Sequence, residues 1–113
     1  MGKENEYILI EFPYPSGSGL HLGHCRSYTA IDAYARKERL CGKNVLFPFG
    51  TDAFGLEAER TAIREKKLPQ EIVKRNIETF HSQLKSIGLS FDWDRTINSC
   101  DEDYYKWTQW QFI

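Results

Sequence analysis

The amino-acid sequence predicts an α/β fold, of which this chain forms the first part of a doubly wound parallel sheet. Two observations predict this fold. An apolar run at residues 7–12 precedes a glycine-rich loop and a helical pattern, and a second apolar run follows at 44–49. Strands joined through a helix pair in parallel, and ligands bind such sheets at the carboxyl ends of the strands. The residues that follow the two runs are therefore the first candidates for a site.

The order of the elements follows from hydrophobic periodicity and from turn residues. Apolar, β-branched segments predict strands, a segment rich in glycine and proline predicts a loop, and glycine after an apolar repeat predicts the end of a helix. We therefore expect a strand over 7–12, a loop over 13–19, a helix from 21 or 22 to about 40, a strand over 44–49 and a helix from about 57 to 67.

Residues 69–87 have the clearest helical pattern. Their apolar residues recur at intervals of four and three, which forms one stripe along a helix. Pro69 suits the first helical turn, and Gly88 followed by Leu89 suits a Schellman motif at the end. The members of the stripe are Val73, Ile77, Phe80, Leu84 and Ile87.

The last segment of the sequence predicts an aromatic helix. Ser99 and Glu102 have the spacing of a capping box, so Ser99 is expected to open this helix. The helix continues to the last residue without a C-terminal cap of its own. We therefore expect residues 1–113 to be one portion of a longer protein.

Composition and charge bear on partners and location. With 15 basic and 16 acidic side chains, the chain has a formal net charge of −1 and offers no broad basic surface to nucleic acid or to a membrane. No secretory signal is evident, and no apolar run approaches the ~20 residues of a membrane span. The three cysteines are widely spaced, which predicts free thiols in a reducing cytoplasm.

The loop after the first strand ends in two histidines, His21 and His24, at the expected start of a helix. A helix N-terminus suits an anion, because it offers free backbone N–H groups and the positive end of the helix dipole. Gly17, Gly19 and Gly23 let a phosphate approach the backbone, and imidazoles can donate hydrogen bonds to phosphate oxygens as charge grows. In this His-x-Gly-His tetrad, Gly23 is also expected to clear space between the two histidines. Metal ligation and plain helix capping remain open as other roles for the two histidines.

Several motifs together resemble one enzyme family. The segment FPYPSGSGLHLGH resembles the signature of class I aminoacyl-tRNA synthetases, and its combination with DAFGL is similar to the bacterial-type leucyl enzymes of that class. YARKERLCGKNVLFPFG, FDWDR and DEDYYKWTQW extend the resemblance over about residues 7–113. It implies a Rossmann-like catalytic domain, of which residues 1–113 would be the N-terminal portion. The editing, second-signature and anticodon-binding regions of the family would lie outside these residues. The resemblance also implies a reaction in which leucine and ATP, with Mg²⁺, give leucyl-adenylate, which then acylates leucine tRNA.

The resemblance implies roles for individual residues. His21 and His24 would be catalytic donors to the phosphates, and Asp52 would pair with the α-ammonium group of the amino acid. Phe12 and Tyr14 would form the walls of the amino-acid site. Leucine tRNA would bind mainly through regions outside this chain, and no membrane partner is expected. The implied ATP-binding residues are Pro15, Ser16, Gly17, Gly19, His21, Gly23 and His24.

The remaining polar residues are expected to be structural or solvated. Asp32, Arg36 and Arg39 share one face of the first helix, and His81 lies beside the apolar stripe, where we expect it at the surface. Four positions depart from the usual family pattern: Glu11, Thr51, Glu57 and Arg60.

Two other functions stay open at this point. The Lys-Met-Ser-Lys-Ser loop, which in the family also contacts ATP, does not occur in these 113 residues. One alternative is a small nucleotidyltransferase that shares the His-x-Gly-His tetrad. The other is a non-catalytic relative of the synthetases that serves as a binding or regulatory module.

Overall fold

A computed structural model describes residues 2–15 and 19–113. The predicted α/β class is confirmed. In chain order the elements are β1 Asn5–Tyr7, α1 Leu22–Leu40, β2 Asn44–Leu46, β3 Gly50–Thr51, α2 Leu56–Glu65, α3 Pro69–Ser86, a 3₁₀ turn Trp93–Arg95, β4 Ile97–Asn98 and α4 Glu102–Gln111. Within the described ranges, no helix combines the length and the apolar character that crossing a membrane requires.

Parallel pairing is organised around the segment 44–52. β1 pairs with β2, and β3 pairs with β4, both in parallel. Ile8 N–H donates to the carbonyl of Leu46 at 2.9 Å, whereas Ile97 N–H donates to the carbonyl of Phe49 at 3.0 Å. In a strand, the carbonyl groups of even-numbered and odd-numbered residues point to opposite sides. The carbonyl of Leu46 faces β1 and the carbonyl of Phe49 faces β4, so the segment lies between these two strands.

Both predicted strands are shorter in the structure than the sequence suggests. Past Ile8, the run predicted at 7–12 is not part of the ladder, and Ile8 and Ile10 are buried in the core. Of the run predicted at 44–49, only Asn44–Leu46 forms a strand, β2, and β3 follows the run at Gly50–Thr51. Pro48 lies between the two, and it has no N–H with which to continue a ladder.

The core lies between the sheet and the helices α1 and α3. Three phenylalanines, Phe47, Phe49 and Phe91, form its centre, with ring centroids 4.5 Å apart for Phe47 and Phe91 and 4.9 Å apart for Phe49 and Phe91. Tyr28 of α1 meets Phe49 edge-on at 6.1 Å. Offset and edge-on aromatic pairs of this kind are stabilising beyond the area they bury.

The stripe predicted for α3 is mostly confirmed. Val73, Phe80 and Leu84 are buried, Ile77 is half-buried, and Ile87, the C-cap residue, is exposed. The predicted Schellman motif is confirmed. Gly88 has a φ of +78°, and its N–H donates to the carbonyl of Lys85 at 3.0 Å. The N–H of Leu89 completes the motif by donating to the carbonyl of Leu84 at 3.3 Å.

A buried carboxylate joins α1 to the chain that follows α3. Asp32 is 6% exposed and accepts hydrogen bonds from Arg36 Nε and from the N–H of Ser90, both at 2.7 Å. Burial opposes the charge on this carboxyl, but the hydrogen bonds from Arg36 and Ser90 keep its pKa below the usual value. Arg39 donates to the carbonyl of Ser90 at 3.0 Å. The structural role expected for this face of α1 is confirmed.

The capping-box prediction for Ser99 is wrong. The N-cap of α4 is Asp101, whose side chain makes no capping hydrogen bond. Ser99 instead continues the ladder of β4, with its N–H on the carbonyl of Thr51 at 3.0 Å. A residue in extended pairing two positions before the cap cannot cap the helix, so the sheet overrides the local motif.

His81 is not the surface residue that the sequence suggests. It is half-buried, with its ring 5.8 Å from that of Phe49 and 5.7 Å from that of Trp93. Burial lowers its pKa, and the nearby charge of Lys85 lowers it further. His81 therefore belongs to the aromatic core rather than to the solvated face of α3.

Candidate active site

His21 is the N-cap residue of α1. Its backbone is extended, and its Nδ1 accepts a hydrogen bond from the N–H of Gly23 at 3.1 Å. Because Nδ1 is the acceptor, the neutral ring carries its proton on Nε2. The side chain is exposed at the positive end of a 19-residue helix and so retains one donor for an anion.

Gly23 makes this arrangement of His21 possible. A Cβ at Gly23 would lie 2.8 Å from Cε1 and 2.9 Å from Nδ1 of His21. Any larger residue would push the imidazole away from its capping position. The expectation that the glycine of the tetrad clears space beside the histidines is confirmed.

His24 lies one helical turn further along and stacks against His21. The two ring centroids are 3.8 Å apart, and the ring of Tyr28 lies 5.7 Å from that of His24. Burial lowers the pKa of His24 below its ordinary value of 6.5, proximity to His21 lowers it further, and the charge of Glu11 acts in the opposite direction. His24 is thus neutral at pH 7 and can donate a hydrogen bond without repelling its neighbour.

The ring of His24 has an unused polar atom. Its Nδ1 is buried and has no hydrogen-bond partner among residues 2–15 and 19–113. The neighbouring Tyr28 is fully buried, and its hydroxyl donates to the carbonyl of Glu11 at 3.2 Å. Burial, together with the charge of Glu11, raises the pKa of Tyr28, so the phenol stays neutral and joins α1 to the segment after β1.

Asp52 follows β3, and its loop is held from two sides. Its N–H donates to the carbonyl of Pro13 at 3.0 Å. On the β4 side, Ala53 N–H donates to Ser99 Oγ at 2.7 Å, and the buried Thr51 hydroxyl donates to Asn98 Oδ1 at 2.8 Å. These contacts place Asp52, and its carboxylate accepts no hydrogen bond from residues 2–15 or 19–113.

Asp52 lines three clefts, and two of them contain the other residues expected at the amino-acid site. The smaller has a volume of about 260 Å³ and is lined by Tyr14 and Asp52 together with the first turn of α2, including Glu57. The wider one, about 920 Å³, is lined by Phe12, Asp52 and Glu11 among others. The three residues expected at the amino-acid site are thus brought to neighbouring clefts, with Asp52 common to both.

The glycine-rich loop is described only at its two ends. Pro15, Gly19 and Leu20 lie within the described residues, whereas Ser16 and Gly17, two of the expected ATP-binding residues, lie outside them. Asn76 Nδ2 donates to the carbonyl of Pro15 at 2.8 Å. Gln83 Oε1 accepts from the N–H of Leu20 at 2.9 Å. Both ends of the loop are therefore bonded to α3.

Sequence reasoning did not identify Asn76 and Gln83, and it did not predict that Ser99 contacts the Asp52 loop. Asn76 and Gln83 are seven residues apart, so they lie on one face of α3 beside the apolar stripe. A polar residue among buried apolar ones needs a partner, and this signal would have identified Asn76, which is 5% exposed. Gln83 is exposed, and its position in the sequence carries no comparable signal.

The arrangement combines features that suit a charged, bifunctional ligand. A helix N-terminus with two stacked imidazoles favours an anion, and an uncommitted carboxylate with aromatic neighbours favours a cationic group attached to an apolar body. Within the described ranges, no three His, Cys, Asp or Glu side chains are grouped so that they could hold a metal ion.

Comparison with known proteins identifies the family. The sequence pattern described as "tRNA synthetases class I (M)" matches residues 6–109. The leucine--tRNA ligase of Alkaliphilus oremlandii (strain OhILAs) is 57% identical over 111 residues, which are 98% of this chain and 14% of that protein. The chain therefore spans about one seventh of the length of this relative.

Solved structures show the same likeness. The LeuRS of Agrobacterium radiobacter K84 agnB2, in a ternary complex with tRNA and LeuAMS, is 32% identical with a TM-score of 0.89, covering 99% of this chain and 14% of that one. The methionyl-tRNA synthetase of Mycobacterium tuberculosis bound by methionyl-adenylate is 30% identical with a TM-score of 0.78, covering 93% and 20%. The fold, the histidine tetrad and these matches agree: the chain belongs to the class I tRNA synthetases.

Proposed function

We propose that the protein formed with this chain activates leucine with ATP and transfers it to leucine tRNA, and that residues 1–113 supply the half of the catalytic site that contains the histidine tetrad. The observation that carries the proposal is the 57% identity to a leucine--tRNA ligase across almost the whole chain. The paired histidines at the start of α1 and the clefts at Asp52 are the groups that this chemistry needs.

In the first step, the carboxylate of leucine attacks the α-phosphorus of ATP, and the bond to the leaving pyrophosphate breaks. The carboxylate is already ionised, so the step needs no general base. Catalysis consists of positioning and of stabilising charge on the phosphates. His21 would donate through Nε2, His24 would donate through its imidazole, and α1 would contribute its positive end.

The amino acid would bind at the clefts beside Asp52. The carboxylate of Asp52 would accept hydrogen bonds from the α-ammonium group, and Tyr14 and Phe12 would contact the apolar side chain. In the second step, a ribose hydroxyl of the tRNA attacks the carbonyl carbon of the adenylate, and AMP leaves. The tRNA would be held mainly by the remainder of the synthetase.

Mg²⁺ would arrive with ATP. Because the described residues contain no group of three suitable ligands, we expect phosphate oxygens and water to hold the ion, and we assign it no step through this chain. The proposed location is the cytoplasm, where the free thiols of Cys25, Cys41 and Cys100 would remain reduced.

Leucine-dependent exchange of pyrophosphate into ATP tests the proposal, measured on the complete product of the gene that encodes this chain. We expect His21→Asn and His24→Asn each to lower the exchange rate by about 10²–10³-fold, because donors to developing charge are lost. His81→Asn is the matched control, since His81 lies in the aromatic core. The 113 residues alone are expected to exchange poorly or not at all.

Three results would contradict the proposal. Exchange that does not depend on leucine excludes a leucine enzyme. Binding of ATP or leucine without adenylate formation indicates a non-catalytic module instead. Release of pyrophosphate from a nucleotide and a phosphorylated alcohol, without an amino acid, indicates a small nucleotidyltransferase.

A further inference from the structure

We infer that Gln83 of α3, assisted by Asn76, is a positioning residue for ATP: it fixes the end of the glycine-rich loop from which the chain turns into His21 and α1. The part of this inference that concerns ATP rests on the proposed function. The part that concerns the loop rests on contacts within the described residues.

The first observation is the hydrogen bond from the N–H of Leu20 to Gln83 Oε1, at 2.9 Å across 63 residues of sequence. Leu20 directly precedes His21, whose backbone caps α1 and whose ring lies against that of His24. The exposed side chain of Gln83, on α3, therefore holds the residue from which the chain enters α1. Since Gln83 is exposed, its contact with the loop is not a consequence of core packing.

The second observation concerns the close approach of Gly19 to the same side chain. A Cβ at Gly19 would lie 2.6 Å from Nε2 and 2.8 Å from Oε1 of Gln83, and the φ of Gly19 is +157°. The backbone of the loop thus passes directly against the carboxamide. A side chain at position 19 would displace the carboxamide of Gln83 from this contact.

Asn76 holds the other end of the loop. It is 5% exposed, and its Nδ2 donates to the carbonyl of Pro15 at 2.8 Å. Asn76 and Gln83 are two helical turns apart on α3, so they can reach two points of the chain that are five residues apart. Pro15 and Leu20, the described residues on either side of the loop, are thus both bonded to the same helix.

The expected consequence is specific to the phosphate side of the site. Among residues 2–15 and 19–113, the carboxamide of Gln83 contacts Gly19 and Leu20, which lead into the histidine tetrad. Asp52 is held instead by Pro13 and by the chain around β4. Loss of the Gln83 contact should therefore weaken ATP binding and leave leucine binding unchanged.

The test uses Gln83→Ala and Gln83→Glu in the complete gene product. Glu keeps an acceptor oxygen for Leu20 N–H, whereas Ala removes it. We expect Gln83→Ala to increase amide hydrogen exchange at Leu20 and to raise the Kd for ATP, each by up to about tenfold, which is the value of one net hydrogen bond. Gln83→Glu should restore the protection of Leu20, and the Kd for leucine should not change.

Gln111→Ala is the matched control, because it makes the same chemical change at an exposed residue at the end of α4. Gly19→Ala provides a second, independent variant. Its added Cβ would collide with the carboxamide of Gln83, so it should cost less in the Gln83→Ala background than in the wild type. Strictly additive effects of the two substitutions on the Kd for ATP would contradict the direct contact.

The outcomes separate this inference from the proposed function. If amide hydrogen exchange at Leu20 is unchanged in Gln83→Ala, the inference is overturned, whether or not the enzyme is active. If amide hydrogen exchange at Leu20 is faster but the Kd for ATP is unchanged, Gln83 has only a structural role, and the inference is also overturned. If the wild type binds ATP but shows no leucine-dependent pyrophosphate exchange, the proposed function fails, and the inference is still decided by the Kd for ATP.

Discussion

The two loops that follow the strands are held in different ways. The loop around Asp52 is held by the segments that follow β1 and β4: the N–H of Asp52 donates to the carbonyl of Pro13, and the N–H of Ala53 donates to the hydroxyl of Ser99. The ends of the glycine-rich loop are fixed by two side-chain amides of α3, and one of these amides is exposed.

This difference matches what each loop is proposed to do. A carboxylate that selects an ammonium group gains from a rigid frame that does not change during the reaction. Donors to a transferring phosphate must be held where charge develops in the transition state. Attachment to α3, partly through an exposed side chain, gives the phosphate loop a hold that can be altered separately from that of the Asp52 loop.

The largest expected effect on stability is that of Gly50→Ala, in β3 directly before the Asp52 loop. A Cβ at Gly50 would lie 2.6 Å from Cζ of Phe12, whose ring covers this glycine. We expect the free energy of unfolding, measured with urea, to fall by ~1–3 kcal/mol through overpacking.

Gly55→Ala is the matched control for Gly50→Ala. Gly55 is the N-cap of α2 with a φ of −174°, and a Cβ there would have nothing within 4 Å. It should cost less than about 1 kcal/mol, because only a helix-cap preference is lost. Equal costs at the two glycines would show that the Asp52 loop is not tightly packed.

A smaller effect is expected from Ser99→Ala. This change removes the acceptor for the N–H of Ala53 and leaves that partly buried donor unpaired. We expect a loss of about 1 kcal/mol in the free energy of unfolding and a higher Kd for leucine, with the Kd for ATP unchanged. Ser82→Ala on the exposed face of α3 is the control. A shift in ATP binding by Ser99→Ala would contradict the separate support of the two loops.

The smallest effect is the pH dependence of stability. The pKa values of His24 and His81 are lowered by burial below 6.5, their value when exposed. Their neutral forms stabilise the fold fully above pH 6.5, and this contribution is lost as the pH falls through the lowered values. His81→Asn should therefore reduce the difference in unfolding free energy between pH 7.5 and pH 5. An unchanged difference would mean that burial does not shift the titration of His81.

Local patterns in the sequence predicted the features that depend on neighbouring residues. The bounds of α1, the Schellman motif at Gly88 and the space that Gly23 leaves for His21 each involve residues a few positions apart. Hydrophobic periodicity also identified the face of α3 that contributes Phe80 and Leu84 to the core.

The features that the sequence did not reveal depend on distant residues. Gln83 and Asn76 reach the loop across 63 and 61 residues, and no periodicity encodes such a contact. Ser99 matched a capping motif, but a hydrogen bond to Thr51 in the sheet determines its conformation. His81 appeared solvated beside an apolar stripe, because the sequence does not show that Trp93 covers it.

The contacts of Asp32 with Ser90 and of Leu20 with Gln83 have a practical consequence for protein engineering. They join the start of α1 to α3, and the second half of α1 to the segment that follows α3, so these segments form one exchangeable unit. A hybrid synthetase that takes α1 from one relative and α3 from another would have to rebuild both connections. Segments 19–40 and 76–90 should therefore be exchanged together.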